Sequence, residues 1–422
     1  MEFLEITGGK KLNGEIAVPG SSDAALAMLS AALLTDEKCI FENVPQTGKV
    51  ETLLEILREI DAEVCREKNT VEISAAGVDS KKLKNCAAAR NLKTAILLSG
   101  PLLARFGEVE IPREKSNPLI LENKIFAPAL ETLGAEILQN DDEKFVAKFS
   151  RETFAHRRLL FSEASIVGTE NTALFCAARA DEAEIFFASA DPRVRHFLEM
   201  LQEMGANISG IGTHFLKIRG RNKLRGGRFK IPADPIYAGF FTIAGIATGG
   251  NLKIKNVDHA ALFPLYTALK KTGAEFEIEE NLIKISPTRK KLEPVGKIHT
   301  AVFPGFPTDL QSPLGVLLTQ CDGISKIFET LFPNRLVYLW ELEKMGAKVE
   351  ILNTHQAKIF GGKKLHAAEV SGWGFASEPA MILAGMIAEG KSLVFPDNFV
   401  ENNFENFLEN LQILGAEISQ RN

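Results

Sequence analysis

The sequence contains little cysteine, little net charge and no long apolar run, and each absence excludes a class of protein. Its five cysteines are spread over 422 residues without a C-x-x-C pair, which argues against a disulfide framework and a zinc site. A net charge of −5 gives no electrostatic footprint for nucleic acid. No stretch reaches the roughly 18 apolar residues of a membrane span, and the acidic residues 1–5 do not form a secretory signal. We therefore expect a cytoplasmic globular protein that binds neither nucleic acid nor membranes; its oligomeric state is left open.

What the sequence does contain is a repeat of helix, glycine and strand. In its clearest copy Leu339, Leu342 and Met345 are spaced by three, Gly346 follows, and residues 347–351 alternate. This pattern predicts a helix, a glycine cap and a strand. The six copies align on Ala62, Ala135, Ala206, Ala274, Ala347 and Ala416. Units of about 70 residues are too small to bury their apolar faces alone, so we expect them to share cores.

Each unit also contains a helix rich in small residues, followed by a polar turn and a β-rich segment, as at residues 29–45 and 243–257. Because alanine and glycine allow close packing, we expect these helices inside a lobe, with sheets covering them. The Gly- and Pro-rich residues 226–235 predict a crossing between lobes. The predicted fold class is α/β with two similar lobes of three βαβαββ-type repeats each. The first lobe spans residues 21–230, and the second combines residues 1–20 with 231–422.

Several short motifs occur along the chain in an order typical of one family. They are VPGS at 18–21, SGPLLARFG at 99–107, FPTDLQ at 306–311, FETLFPNR at 328–335 and LAGMIAEG at 383–390. Together they resemble the enolpyruvyltransferases over essentially the whole chain, most of all the members that act on UDP-N-acetylglucosamine. The resemblance implies two lobes, each an inside-out α/β barrel, with the active site in the cleft between them. It also implies transfer of enolpyruvate from phosphoenolpyruvate to a UDP-sugar in peptidoglycan precursor synthesis, with no metal or organic cofactor.

The resemblance implies a catalytic role for Asp309, which would take or orient the proton of the sugar hydroxyl. Thr308 lies beside it in the same motif, and Arg335 matches a family arginine near the cleft. Arg90 and Lys93 are candidates for an arginine that the family carries in the second repeat. Structural roles are also open, because Asp309 could cap the following helix and Arg335 could form an ion pair.

Other positions lack the charge that the resemblance implies. A lysine that holds the phosphate and carboxylate of phosphoenolpyruvate is expected at Ser22, and Asp23 stands where the UDP-sugar enzymes have asparagine. A carboxylate there would repel an anion. The loop at residues 112–122 lacks the reactive cysteine or aspartate of the family. Within this loop, Arg113 and Lys115 could supply positive charge from a shifted register.

Four more family cations fall on residues without positive charge, namely Leu121, Glu163, Ala376 and Asn402. A hydrogen bond to a charged group is worth about 1.5–3 kcal/mol, and about 1.4 kcal/mol changes a rate tenfold. The contributions of the missing cations are not additive, but even a fraction of their summed free energy would slow the reaction strongly. The predicted substrate-binding set is therefore a reduced one, composed of Ser22, Asp23, Arg90, Lys93, Arg113, Lys115, Glu163, Thr308 and Arg335.

Three functions remain open from the sequence. The chain could be a degenerate enolpyruvyltransferase that is weakly active or inactive with phosphoenolpyruvate and a UDP-sugar. It could be a non-catalytic homologue that binds a nucleotide sugar or regulates a catalytic relative. It could also act on a different substrate in the same cleft, since Ser22, Asp23 and Glu163 suit a less anionic ligand and Trp373 could stack on a ring.

Overall fold

The structure is a computed structural model that describes residues 3–113, 120–150, 156–179, 181–372 and 377–421, with only the backbone at 120–124 and 156. The chain forms two compact units. The N-terminal unit is Gly20–Pro232, and the C-terminal unit combines Met1–Pro19 with Ala233–Asn422. Each unit has its own hydrophobic core.

The elements alternate between short strands and helices. The strands are β1 Phe3–Thr7, β2 Asn13–Ala17, β3 Cys39–Glu42, β4 Glu63–Glu67, β5 Thr70–Ser74, β6 Glu108–Pro112, β7 Glu136–Asn140, β8 Lys144–Lys148, β9 His156–Leu160, β10 Glu182–Phe186, β11 Asn207–Ser209, β12 Phe215–Arg219, β13 Gly227–Lys230, β14 Asn251–Lys255, β15 Phe276–Glu279, β16 Leu282–Ile285, β17 Lys297–His299, β18 Ile324–Phe328, β19 Lys348–Asn353, β20 Gln356–Phe360, β21 Glu369–Ser371, β22 Lys391–Phe395 and β23 Glu417–Arg421. The α-helices are α1 Ser22–Ser30, α2 Gly48–Glu59, α3 Ala87–Asn91, α4 Ser99–Phe106, α5 Ile120–Thr132, α6 Ile166–Ala177, α7 Pro192–Glu203, α8 Pro235–Ala247, α9 Phe263–Lys271, α10 Gln311–Leu318, α11 Tyr338–Lys344, α12 Glu378–Ile387, α13 Phe399–Asn403 and α14 Phe407–Ile413. Short 3-10 helices span Ala31–Leu34, Ser80–Asn85, Lys93–Leu98, Ala260–Leu262 and Thr308–Leu310.

Within the described ranges, each unit contains three small sheets. Their strand orders are β13-β3-β5-β4, β6-β8-β7 and β11-β12-β10-β9 in the N-terminal unit, and β15-β16-β14-β2, β17-β18-β20-β19 and β21-β22-β1-β23 in the C-terminal unit. Each four-stranded sheet combines one parallel pair with two antiparallel pairs. The first two strands of the chain are part of the C-terminal unit, because β2 pairs with β14 and β1 pairs with β22 and β23.

The repeated helix, glycine and strand unit is confirmed. The glycines that follow α5, α7, α9, α11 and α14 all have positive φ, between 76° and 114°, where a residue with a side chain would be strained. In the first copy Asp61 takes this conformation instead, with φ of 67°. In five of the six copies the following alanine N–H closes the cap, as Ala347 does on the carbonyl oxygen of Leu342 at 3.0 Å.

The helices rich in small residues are the buried ones, as predicted. All eight residues of α10 are buried, and α8 and α12 are buried along almost their whole length. Glycine makes close approach possible between such helices. A Cβ atom added to Gly100 of α4 would lie 2.4 Å from the carbonyl oxygen of Asn171 in α6.

We expect Gly315→Ala to destabilise the C-terminal unit. An added Cβ at Gly315 would lie 2.1 Å from the hydroxyl oxygen of Tyr338, and that hydroxyl donates a 2.7 Å hydrogen bond to the Gln311 side chain. Overpacking of this kind costs about 1–3 kcal/mol, measurable as a lower urea midpoint. In the Tyr338→Phe background the colliding hydroxyl is gone, so Gly315→Ala should cost less there. An equal cost in both backgrounds would contradict the contact.

Candidate active site

Asp309 lies in a short turn that leads into a buried helix. Pro307 precedes the 3-10 turn Thr308–Leu310, and α10 begins at the next residue. The Asp309 side chain is 34% exposed and forms an ion pair with Arg335, whose side chain is 8% exposed. The carboxylate is therefore accessible to a ligand, while its orientation is set from the protein side by a buried guanidinium.

Arg335 is held in turn by a second set of contacts. Its Nη1 donates to the Thr308 hydroxyl at 3.0 Å, and that hydroxyl donates to Glu329 Oε2 at 2.7 Å. The other oxygen of Glu329 accepts the backbone N–H of Leu331 at 2.9 Å. Glu329 is fully buried, and a buried carboxylate is retained only when it is paired and hydrogen-bonded. The four side chains of Asp309, Arg335, Thr308 and Glu329 thus form one network, called the Asp309 network below.

A second polar cluster lies where α1, α2 and α7 begin, in the N-terminal unit. Ser22 is buried, and its hydroxyl hydrogen-bonds to the Thr47 hydroxyl at 2.9 Å. Asp23 is about half exposed and lies 3.4 Å from Lys49 Nζ and 3.3 Å from Arg193 Nη1. The charge of Lys49 lowers the pKa of Asp23 below its usual value; burial opposes this shift and Arg193 adds to it.

Arg193 is anchored independently of Asp23. Asp191 caps the start of α7, and its carboxylate accepts Arg193 Nε at 2.9 Å and Nη2 at 3.1 Å. Burial raises the pKa of Asp191, but the charge and hydrogen bonds of Arg193 outweigh this effect and leave the pKa lowered. Sequence reasoning missed Lys49, Asp191 and Arg193. The available signal was the pair Asp191-Pro192, which is typical of a helix start.

A match to one protein family spans nearly the whole chain and establishes the family to which the chain belongs. Residues 6–411 match the family described as EPSP synthase (3-phosphoshikimate 1-carboxyvinyltransferase). The chain belongs to the EPSP synthase family.

Relatives within the EPSP synthase family cover the chain from end to end. A UDP-N-acetylglucosamine 1-carboxyvinyltransferase 2 from Prochlorococcus marinus is 36% identical over 99% of this chain and 98% of its own length. A UDP-N-acetylglucosamine 1-carboxyvinyltransferase from Methylacidiphilum infernorum is 33% identical over 100% of this chain and 99% of its own length. The resemblance to enolpyruvyltransferases that the motifs indicated is confirmed.

Solved structures of the family share the fold. The enolpyruvyl transferase NikO from Streptomyces tendae has a TM-score of 0.86 at 19% identity, covering 99% of this chain and 98% of that one. EPSP synthase from Acinetobacter baumannii has a TM-score of 0.79 at 17% identity, covering 100% of both chains. The predicted α/β fold of this family is confirmed.

The remaining predicted site residues of this family member differ in their surroundings. The side chains of Arg90 and Lys93 are exposed and make no hydrogen bond or ion pair with any residue that the structure describes. Arg113, directly after β6, instead contacts the turn between β7 and β8 of the same sheet, where its Nη1 donates to Asn140 Oδ1 at 2.9 Å and to the Asp141 carbonyl oxygen at 2.7 Å. Burial lowers the pKa of Arg113.

Glu163 is exposed in the loop before α6, and Asn402 is exposed in α13. Lys115, Trp373 and Ala376 lie outside the described residues, and the side chain of Leu121 is not described. The substrate-binding roles of these residues, and of the Asp309 network, stay predictions.

A buried glutamate begins α12 beside the exposed Asp397, and it was not predicted. Glu378 is 3% exposed, and its Oε2 accepts the backbone N–H groups of Phe399 at 2.8 Å and Val400 at 3.3 Å. Burial raises the pKa of Glu378 to about 8, and the neighbouring Asp397 adds to this increase, while the two backbone N–H groups oppose it.

The raised pKa of Glu378 predicts that stability falls as pH rises. Because its pKa increases from 4.5 in the unfolded chain to about 8 in the folded protein, the folded state binds this proton more tightly. The stabilisation is complete below pH 4.5 and is lost as pH rises through about 8. Urea unfolding should therefore show a fall on the order of a few kcal/mol across this window.

The Glu378→Gln variant should remove most of that pH dependence, since glutamine cannot titrate. The exposed Glu343→Gln is a matched control and should retain the wild-type profile. An unchanged slope in Glu378→Gln would show that other groups cause the dependence.

No group of three or more His, Cys, Asp or Glu side chains in the described ranges is arranged to hold a metal ion. In the same ranges, no helix has the length and apolar character to cross a membrane.

Proposed function

We propose that this chain transfers the enolpyruvyl group of phosphoenolpyruvate to a hydroxyl group of a UDP-amino sugar, at a low rate. Relatives that span the whole chain are named for this reaction with UDP-N-acetylglucosamine. The observation that carries the proposal is the Asp309 network, in which a half-buried carboxylate is oriented by the buried Arg335. We keep the cytoplasm as the proposed location, since both substrates are water-soluble anions.

The proposed reaction needs one proton acceptor beside the sugar. The hydroxyl oxygen becomes bonded to the enol carbon of phosphoenolpyruvate, inorganic phosphate leaves, and the hydroxyl proton must be removed. A positioned carboxylate within hydrogen-bond reach can accept this proton. Asp309 has the required exposure, and the contact with Arg335 leaves it fixed in one orientation rather than free to rotate.

The low rate is proposed because the anion-binding positions are poor in charge. Ser22 is buried and neutral, Asn402 is neutral, and Glu163 is negative, whereas two anionic substrates need several fixed cations. Each lost charge-assisted hydrogen bond reduces binding by about 1.5–3 kcal/mol. The loss should raise the concentration of phosphoenolpyruvate needed for turnover.

Mass spectrometry tests this proposal directly. Incubation with millimolar phosphoenolpyruvate and UDP-N-acetylglucosamine should yield the enolpyruvyl ether of the UDP-sugar, together with an equal amount of inorganic phosphate. Absence of the ether after prolonged incubation would overturn the proposal.

A non-catalytic nucleotide-sugar binder is the second candidate, and the buried, neutral Ser22 favours it, because the resemblance implies at that position the lysine that holds phosphoenolpyruvate. In that case UDP-N-acetylglucosamine should raise the melting temperature while phosphoenolpyruvate does not, because only a ligand that binds the folded state stabilises it. Thermal-shift titration with each compound alone, combined with the product assay, separates the two candidates.

A further inference from the structure

Two cationic side chains, from the starts of α2 and α7, lie beside the first residues of α1. Neither belongs to the family motif VPGS that precedes this helix. The resemblance implies a lysine at Ser22, but Ser22 is buried against Thr47 and carries no charge. Lys49 extends from the first turn of α2 and Arg193 from the first turn of α7, and both reach the carboxylate of the adjacent Asp23. Both cations therefore contact the residue that follows Ser22, the position at which the lysine is missing.

We propose that Lys49 and Arg193 bind the phosphate or carboxylate of the donor substrate, and that Asp23 is an internal anion which competes with that substrate. This inference rests on the proposed function and assigns two residues that the family motifs do not indicate. It also explains how the chain could bind the anionic donor substrate without the lysine that the resemblance implies at Ser22.

The distances indicate that Asp23 pairs loosely with both cations. Its oxygens lie 3.4 Å from Lys49 Nζ and 3.3 Å from Arg193 Nη1, whereas a strong charge-assisted hydrogen bond measures about 2.7–2.9 Å. The Asp23 side chain is also 47% exposed. A loosely held, exposed carboxylate can be displaced by a substrate anion at small cost.

Arg193 does not depend on Asp23 for its position. The Asp191 carboxylate holds its guanidinium through two nitrogens, at 2.9 and 3.1 Å. Removal of the Asp23 charge therefore leaves Arg193 oriented as before. Pre-oriented cations bind an anion better because less side-chain entropy is lost on binding.

The net charge of this cluster determines the direction in which each substitution should change anion binding. Lys49 and Arg193 are opposed by Asp23 and Asp191, so the four side chains sum to zero charge. Asp23→Asn leaves one excess positive charge, and Lys49→Met leaves one excess negative charge. The two variants should therefore change anion binding in opposite directions.

The test measures KM and kcat for phosphoenolpyruvate by phosphate release, with UDP-N-acetylglucosamine present. Lys49→Met should raise KM by about tenfold or more, and Asp23→Asn should lower it several-fold. Lys49→Arg should restore most of the wild-type KM, because it retains the charge. Thermal unfolding verifies that each variant folds.

Lys38→Met is the matched control. Lys38 belongs to the same unit and pairs with the exposed Glu72 at 2.8 Å, so its loss should leave KM unchanged. If the wild type turns over but Lys49→Met and Asp23→Asn keep its KM within about twofold, the inference is overturned and the proposed function stands. If the wild type forms no product, the proposed function fails and the inference fails with it.

Discussion

Asp309→Asn is expected to reduce product formation by about 100- to 10,000-fold, the usual contribution of a positioned general base. Asparagine has nearly the same shape and can still accept a hydrogen bond from Arg335, but it cannot take the proton of the sugar hydroxyl. The variant should therefore fold normally, bind both substrates and fail in turnover. The measurement is kcat from phosphate release, with product confirmed by mass spectrometry.

Asp322→Asn is the control for this prediction. Asp322 belongs to the same unit, is 61% exposed and pairs with Lys291 at 3.4 Å, so the substitution removes an equal charge far from the turn at Thr308–Leu310. It should retain the wild-type rate. If Asp309→Asn keeps half or more of the wild-type kcat, Asp309 has only a structural role beside Arg335.

Restoring two missing cations is expected to have a similarly large effect, in the opposite direction. Glu163 and Asn402 are exposed, so Glu163→Lys and Asn402→Arg add long cationic side chains without disturbing a core. At about tenfold or more for each charge-assisted hydrogen bond, the double variant should raise kcat/KM for the two substrates by about 100-fold if the effects add. The single variants measure how far they depart from additivity.

A second double variant, with the same change in charge at other surface positions, controls for long-range attraction of the anionic substrates. Glu343→Lys combined with Asn85→Arg adds equal charge at two other exposed positions. This control should change kcat/KM little, and any small change should disappear at high salt. If both double variants increase kcat/KM equally, the effect is long-range attraction rather than restored contacts.

The repeat could be predicted from the sequence because its physical cause is local. A helix that ends at a residue with positive φ favours glycine, so Gly134, Gly205, Gly346 and Gly415 mark the helix ends directly. Asp61 shows the limit of this rule, since it takes the same conformation with φ of 67°. The buried helices were predictable for a related reason, because small residues such as Gly100 allow two helices to approach closely.

The candidate site was only partly predictable, because its partners come from distant parts of the chain. Asp23 meets Lys49 across 26 residues and Arg193 across 170, and neither distance leaves a periodic signal in the sequence. In the sequence, nothing distinguishes Glu378 from any acid at the start of a helix, which is a favourable place for one. Only the fold shows that it is buried beside Asp397 and the backbone of Phe399.

We propose that this chain retains the proton acceptor of the family at Asp309 but binds the anionic donor substrate more weakly than its relatives do. The most direct test is phosphate release as a function of phosphoenolpyruvate concentration, measured beside the Prochlorococcus marinus relative under identical conditions. We predict turnover that is lost in Asp309→Asn and a KM for phosphoenolpyruvate at least about tenfold above that of the relative. A KM equal to that of the relative, or no turnover at any concentration of phosphoenolpyruvate, would contradict this account.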